Sequence, residues 1–243
     1  MRMLTFAKRC TKEILRDPLN LAFGLGFPLV LLFLLSAMQA NIPVPLFEIG
    51  HLTPGITVFG LSFMTLFSAT LVARDRESAF LQRLYTTPLR AVDFILGYML
   101  PMVPIALGQT ALCYLAAIPL GLTFSVRILY SIVAIIPMAV FNIALGLLLG
   151  SILGVKQVGG ICGALFTNLS AWLSGIWFDL ELLGDAFVKF ANVLPFVHGV
   201  ELERALVRGD LGDAAAHILP TVGYSVLITA VAVICFLRQM RKQ

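Results

Sequence analysis

A chain of 243 residues that is 59% hydrophobic and only 12% charged, with a mean hydropathy of +0.96, cannot build a water-facing surface around itself; soluble domains carry roughly 25% charged residues. Most of its surface must face lipid, and the length suits a single membrane domain over residues 1–243. The net charge of +4 excludes little until its distribution is known.

Residues 1–17 do not read as a signal peptide, because they lack a short apolar core. Phe6, Cys10 and Ile14 recur every four residues, with Lys8, Arg9, Lys12 and Arg16 around them. That spacing predicts an amphipathic helix in the headgroup layer, ended by Pro18. Six apolar runs follow, each near the roughly 20 residues needed to cross the hydrocarbon core. They cover 19–39, 52–73, 92–118, 128–153, 158–178 and 219–237. Pro101 and Pro104 in the third run and Pro137 in the fourth are expected kink sites.

Two connections are more than loops. Residues 74–88 are charged at Arg74, Asp75, Arg76 and Glu77 and carry an apolar stripe at Phe80, Leu81, Leu84 and Tyr85. They predict a short amphipathic helix under the membrane, ended by Thr87-Pro88. Residues 179–218 carry Leu180, Leu183, Phe187, Phe190 and Leu194 at helical spacing; Pro195 then breaks the pattern. A second short helix follows, from about residue 198 to 207, ended by Gly209. The pair is too apolar for a free loop and too short to span, so it is expected to dip into the outer leaflet.

With six spans both termini share a side, and that side holds 13 of the 17 Lys and Arg residues, whereas the other carries eight of the 13 acids. The positive-inside rule puts the basic side, and so both termini, in the cytosol.

Inside the apolar runs, Asn142, Gly146, Gly150 and Gly154 are spaced by four, as are Gly159, Gly163 and Thr167, beside Asn168. Small residues at that spacing let helices approach closely, and buried amides hydrogen-bond across the contact. The same positions, with Gln109, could instead line a path. No ionisable residue sits mid-span, which argues against a proton- or ion-coupled secondary transporter; such a transporter or a channel is the rival reading. Trp177 suits an interfacial anchor. Ser174-Gly175 and His198 are raw material for an intramembrane serine protease, but no GxSG motif accompanies them and His198 lies outside the spans. Cys10, Cys113, Cys162 and Cys235 show no CxxC or Cys/His spacing, so no metal centre is expected and they read as packing residues.

The whole layout resembles the membrane-embedded permease subunits of ABC-2-type ABC exporters. The resemblance rests on the basic N-terminal helix, the six spans, Pro54-Gly55 early in the second span, and Arg83-Leu-Tyr-Thr-Thr-Pro-Leu89. It also rests on the P-x-x-H…R run within Leu194-Pro-Phe-Val-His-Gly-Val-Glu-Leu-Glu-Arg204. It implies an all-α membrane fold in the plasma (inner) membrane, whose substrate pathway is formed by two permeases, either identical or sisters. ATP and Mg would be bound by separate cytosolic ATPase subunits, with no catalytic residue, cofactor or metal on this chain. In keeping with that, the sequence has no GxxxxGK[ST] phosphate loop. Residues 74–88 would be the helix that docks on the ATPase, with Arg74, Asp75, Arg76, Glu77, Phe80 and Leu84 at the contact. Residues 179–218 would gate the outer mouth, with Pro195 at the bend and His198 and Arg204 bonding across the turn. Two copies would pair through the first and fifth spans.

Overall fold

The computed structural model describes residues 2–44, 47–78, 80 and 91–241, and among them it is helical throughout with no strand. Helix α1 (Arg2–Leu15) lays its Phe6–Cys10–Ile14 stripe against the bundle, each of the three less than 9% exposed. Phe6 meets Phe94 and Tyr98 edge-on, with ring centroids 5.8 and 4.8 Å apart. The apolar face expected in the headgroup layer is therefore spent on protein, and the basic face looks outward.

Asp17 caps the next helix by accepting from the Asn20 amide at 3.3 Å, with Pro18 in the first helical position. That helix, α2 (Pro18–Gln39), passes through a π segment at Ala22–Gly26. Helix α3 (Ile49–Glu77) is the hub of the molecule, and 89% of its apolar window is buried inside the protein. It holds Pro54 at its sixth position, where the missing N–H forgoes the helical hydrogen bond to the Gly50 carbonyl.

Helix α4 (Ala91–Ala117) runs unbroken through Pro101 and Pro104. Helix α5 (Val126–Ile152) breaks at Ile135, just ahead of Pro137, the kink site expected from the sequence. Helical turns over residues 155–173, called α6, begin as α-helix, pass through a π segment at Gly159–Phe166 and end as α-helix at Leu173. A 3-10 turn at Leu180–Leu183 leads to α7 (Asp185–Val193), α8 (Pro195–Arg208) and the long α9 (Leu211–Arg241).

Three expectations are corrected. The helix expected over 74–88 does not begin at Arg74: residues 74–77 are the last turn of α3, because no Gly or Pro interrupts it there and two arginines favour its C-terminal end. Residue 79 and residues 81–90, with Leu84 among them, lie outside the described residues. The segment expected to be external ends at residue 210, since α9 starts eight residues before the apolar run it contains. The fifth apolar run stops being helical at Leu173, and Gly175, with φ +67, turns the chain before Trp177. Among the described residues five helices are long and apolar enough to cross a membrane, namely α2, α3, α4, α5 and α9. Lys156, Gln157 and Asn168 lower the apolar character of 155–173, and α6 is not in that set.

The bundle has a basic end and an acidic end. At the basic end, α1, the last turn of α3, the first turns of α4, the end of α5 and the start of α6 meet. The last part of α9 returns there too, with Cys235 Sγ 3.5 Å from Ser151 Oγ. At the acidic end, the start of α3, the turn after α6, and α8 meet.

Candidate functional site

At the basic end, Asp75 is 1% exposed, and both of its carboxylate oxygens accept from the Arg9 guanidinium, a bidentate pair joining α1 to α3. Tyr98 on α4 donates to the same carboxylate at 2.7 Å, so three helices share one buried charge. Burial alone would lower the Arg9 pKa; the hydrogen bonds and charge of Asp75 outweigh it and raise it. Glu13, 2.7 Å from Arg9 and flanked by Asp75, is raised by burial first and by that neighbouring charge second. The Arg9 guanidinium also stacks on Phe80, 4.1 Å from the ring centre.

The neighbours of Asp75 are engaged as well. Arg76 donates to the Leu153 carbonyl at 2.6 Å and to the Ser151 carbonyl, the unpaired end of α5. Glu77 accepts from the Val155 amide at 2.8 Å at the start of α6. Arg74 pairs with Asp17 at 3.0 Å, half-exposed. The four charges read from the sequence as a docking face therefore split: Asp75 is interior, Arg76 and Glu77 tie α3 to α5 and α6, and Arg74 faces outward.

In mid-bundle the small-residue pattern also divides. Asn142, Gly146 and Gly150 lie on the face of α5 that packs on α3. Thr65 Oγ donates to the Asn142 carbonyl and side chain at 2.9 and 3.1 Å, and Ser68 donates to the Ile143 carbonyl at 3.0 Å. A methyl added at Gly146 would overlap the Ser68 hydroxyl and the Thr65 carbonyl, and one at Gly150 would overlap the Ala69 carbonyl. Gln109 on α4 is buried against Gly60 in a similar way. These residues are the cement within one chain. Gly159, by contrast, has open space where a methyl would go, Gly163 meets only Leu66 at 3.5 Å, and Asn168 is exposed and bonded to its own helix at Ala164.

That second set borders a groove. A cavity of about 350 Å³ lies between α2, α3 and α6, walled by Phe23, Phe27, Phe59, Phe63 and Trp177, with Thr167 and Asn168 its polar members. Phe27, Phe59, Phe63 and Trp177 pack edge-on or tilted at 5.8–6.3 Å. Thus Trp177, expected as an interfacial anchor, is part of this aromatic wall. Sequence spacing missed the groove, because the phenylalanines come from two helices and each alone looks like core.

At the acidic end, Arg204 is 5% exposed and donates to the Gly175 carbonyl at 2.9 Å and to Glu201 at 2.7 Å, with the His51 carbonyl at 3.5 Å. It thereby pins α8 to the turn after α6 and to the start of α3. Burial lowers its pKa, although Glu201 counters the shift. Next to it Glu203 is fully buried and holds the Tyr114 hydroxyl at 2.7 Å; burial pushes this carboxyl up to about 8. Pro195 occupies the first position of α8, where proline fits best. His198 and Arg204 do not bond to each other: one turn and a half of helix points them to different neighbours. His198 Nε2 lies 3.0 Å from the Asn192 carbonyl, and Nδ1 lies 2.9 Å from Nδ1 of His217 on α9. Burial lowers the His198 pKa, which favours the neutral ring. Glu203, Tyr114 and His217 carried no usable sequence signal, since their partners stand 89 and 19 positions away.

The profile described as ABC-2 type transporter matches residues 1–207, most of the chain. The chain belongs to the ABC-2 type transporter family. It is a membrane transport subunit, the permease component of an ABC transporter, and not itself a catalyst. A comparison of the permease with curated proteins finds no match.

Proposed function

We propose that this permease is the pathway-forming subunit of an ATP-driven exporter, working as a pair of permeases with separate ATPase chains at its basic end. The groove between α2, α3 and α6 carries the reading. It is aromatic, has one amide and one hydroxyl, contains no ionised group, and opens on a side where α2 is only 22% buried. An aromatic wall with few polar groups fits an amphipathic or lipid-like cargo, and facing a second copy across the open side would enclose it. Gly159, with open space around it, and Gly163, which meets only Leu66, suit close approach of that partner.

Six crossings and cytosolic termini fit this reading. Segment 155–173 starts beside Glu77 at the basic end, and the turn after it lies beside Gly55 and Arg204 at the acidic end. It therefore traverses the bundle although it is less apolar than the other five helices. By the sequence count, 13 of the 17 Lys and Arg residues fall in the segments assigned to the side of the termini, as a cytosolic face should.

In this scheme the last turn of α3 transmits motion rather than merely docking. Arg76 and Glu77 connect it to the ends of α5 and α6, Asp75 connects it to α1 and α4, and Arg74 and Phe80 remain beside the ATPase side. Export assays in vesicles with the ATPase present test both parts. Phe63→Ala should lower export several-fold with ATP hydrolysis retained, whereas Glu77→Lys should leave hydrolysis running without export. Unchanged export in both variants would overturn the proposal.

A further inference from the structure

Glu203 of α8 lies near the end of α4 and the start of α5, and it, Tyr114 and Ser131 are all fully buried. The Tyr114 hydroxyl donates to Oε2 of the carboxyl at 2.7 Å. Ser131 Oγ stands beside the same carboxyl, yet neither it nor Glu203 Oε1 has another hydrogen-bond partner among the described residues. Buried polar atoms left unpaired are rare and call for a cause. No cation faces this carboxyl among the described residues. Arg204, the next residue, turns to the Gly175 carbonyl and Glu201, and Arg127 of α5 turns to the Arg208 carbonyl. Arg208 and His217 face Asp213, and the His51 ring of α3 sits among the charges around Arg204. Tyr130 of α5 and Asp185 and Lys189 of α7 are exposed. An ionised carboxylate in this place would be a buried charge without a partner of opposite sign, the costliest state for the group. A neutral acid removes that charge, and its single O–H then requires an acceptor.

We propose that Glu203 is a proton-operated latch: its Oε1–H donates to Ser131 Oγ and closes α8 on α4 and α5, and loss of that proton lets α8 lift from the bundle. Burial holds this carboxyl up to about 8, so the latch is shut at neutral pH and weakens as pH climbs toward that value. Lifting α8 also slackens the Arg204 bond to the Gly175 carbonyl, two residues before Trp177 in the wall of the groove. Proton concentration at the acidic end thereby acts on the groove.

The full chain in nanodiscs, followed by infrared difference spectroscopy against Glu203→Gln, tests where the proton sits. The wild type should show a carboxylic-acid C=O band that the variant lacks and that fades with a midpoint near 8. Ser131→Ala gives the direction of the bond by its sign. Loss of an acceptor destabilises the acid and should lower that midpoint by about one pH unit. A raised or unchanged midpoint would overturn the bond, since a serine that donates stabilises the carboxylate instead. Hydrogen exchange of the α8 amides, corrected for the intrinsic rate, reads the latch. Opening should rise about tenfold for each pH unit up to about 8 in the wild type and stay flat in Glu203→Gln. No acid band, or the same pH dependence of opening in both proteins, would overturn the proposal. Should Glu203→Gln fail to fold, the acid band that Ser131→Ala moves still decides by the direction of its shift.

Discussion

Asp75 shows how far a residue's surroundings can depart from its local sequence. In Arg74-Asp-Arg-Glu77 it looks like one of four solvated charges, yet it is the best-buried acid at the basic end, held by Arg9 and Tyr98 from positions 66 and 23 residues away. Removing it leaves the Tyr98 hydroxyl without its partner and the Arg9 charge half-stranded. Because Arg9 is about a third exposed, it can recover some hydration, so Asp75→Ala should cost about 2–4 kcal/mol rather than more. Thermal unfolding in detergent checks this, and a melting temperature within a degree of wild type would contradict it.

Glu203 gives a pH signature of definite sign. Its carboxyl is raised from the ordinary 4.5 to about 8 by burial, so the folded chain keeps a proton that the unfolded chain releases. The stability from the neutral form is complete below about 4.5 and is lost as pH climbs toward 8. Melting temperature should therefore fall from pH 5 to pH 8 in the wild type. Glu203→Gln, which is neutral throughout, should flatten the part of that fall due to this residue; parallel curves for the two proteins would refute it.

At the scale of elements, the apolar runs were legible because crossing a bilayer demands length and hydropathy, and both are local properties. Helices α2, α3, α4, α5 and α9 follow, with boundaries displaced where a helix continues past its apolar run, as α3 does through Glu77 and α9 does before Leu219. The break near Pro137 was legible for the same local reason. What could not be read was which face of a small-residue stripe meets which neighbour. The repeat at Asn142, Gly146 and Gly150 and the repeat at Gly159 and Gly163 look alike in sequence; one is sealed against the α3 backbone, whereas Gly159 is open and Gly163 meets only the Leu66 side chain. Gly146→Ala must push α5 off the α3 backbone and should cost at least about 1–3 kcal/mol. Gly108→Ala, where a methyl meets nothing, should be neutral or mildly stabilising. Equal melting temperatures for the two variants would remove the close α3–α5 packing from the explanation.

For the whole molecule, the division into a basic end tied together by Asp75, Arg76 and Glu77 and an acidic end tied by Arg204 and Glu203 leaves one long side uncommitted. That side carries the aromatic groove. Charge counting made the polarity of the bundle readable in advance. The groove was not, since its walls come together only when α2, α3 and α6 pack. On the reading proposed above, a chain with this groove in a family of ABC permeases would need an engine on another chain.

Isolation of the chain from its native membrane in mild detergent, with mass spectrometry of what accompanies it, tests that need most directly. The expected result is a stoichiometric ATPase carrying a GxxxxGK[ST] loop together with two permease copies, or one copy and a sister. Recovery of the chain alone, as a monomer at every detergent strength, would contradict the exporter reading.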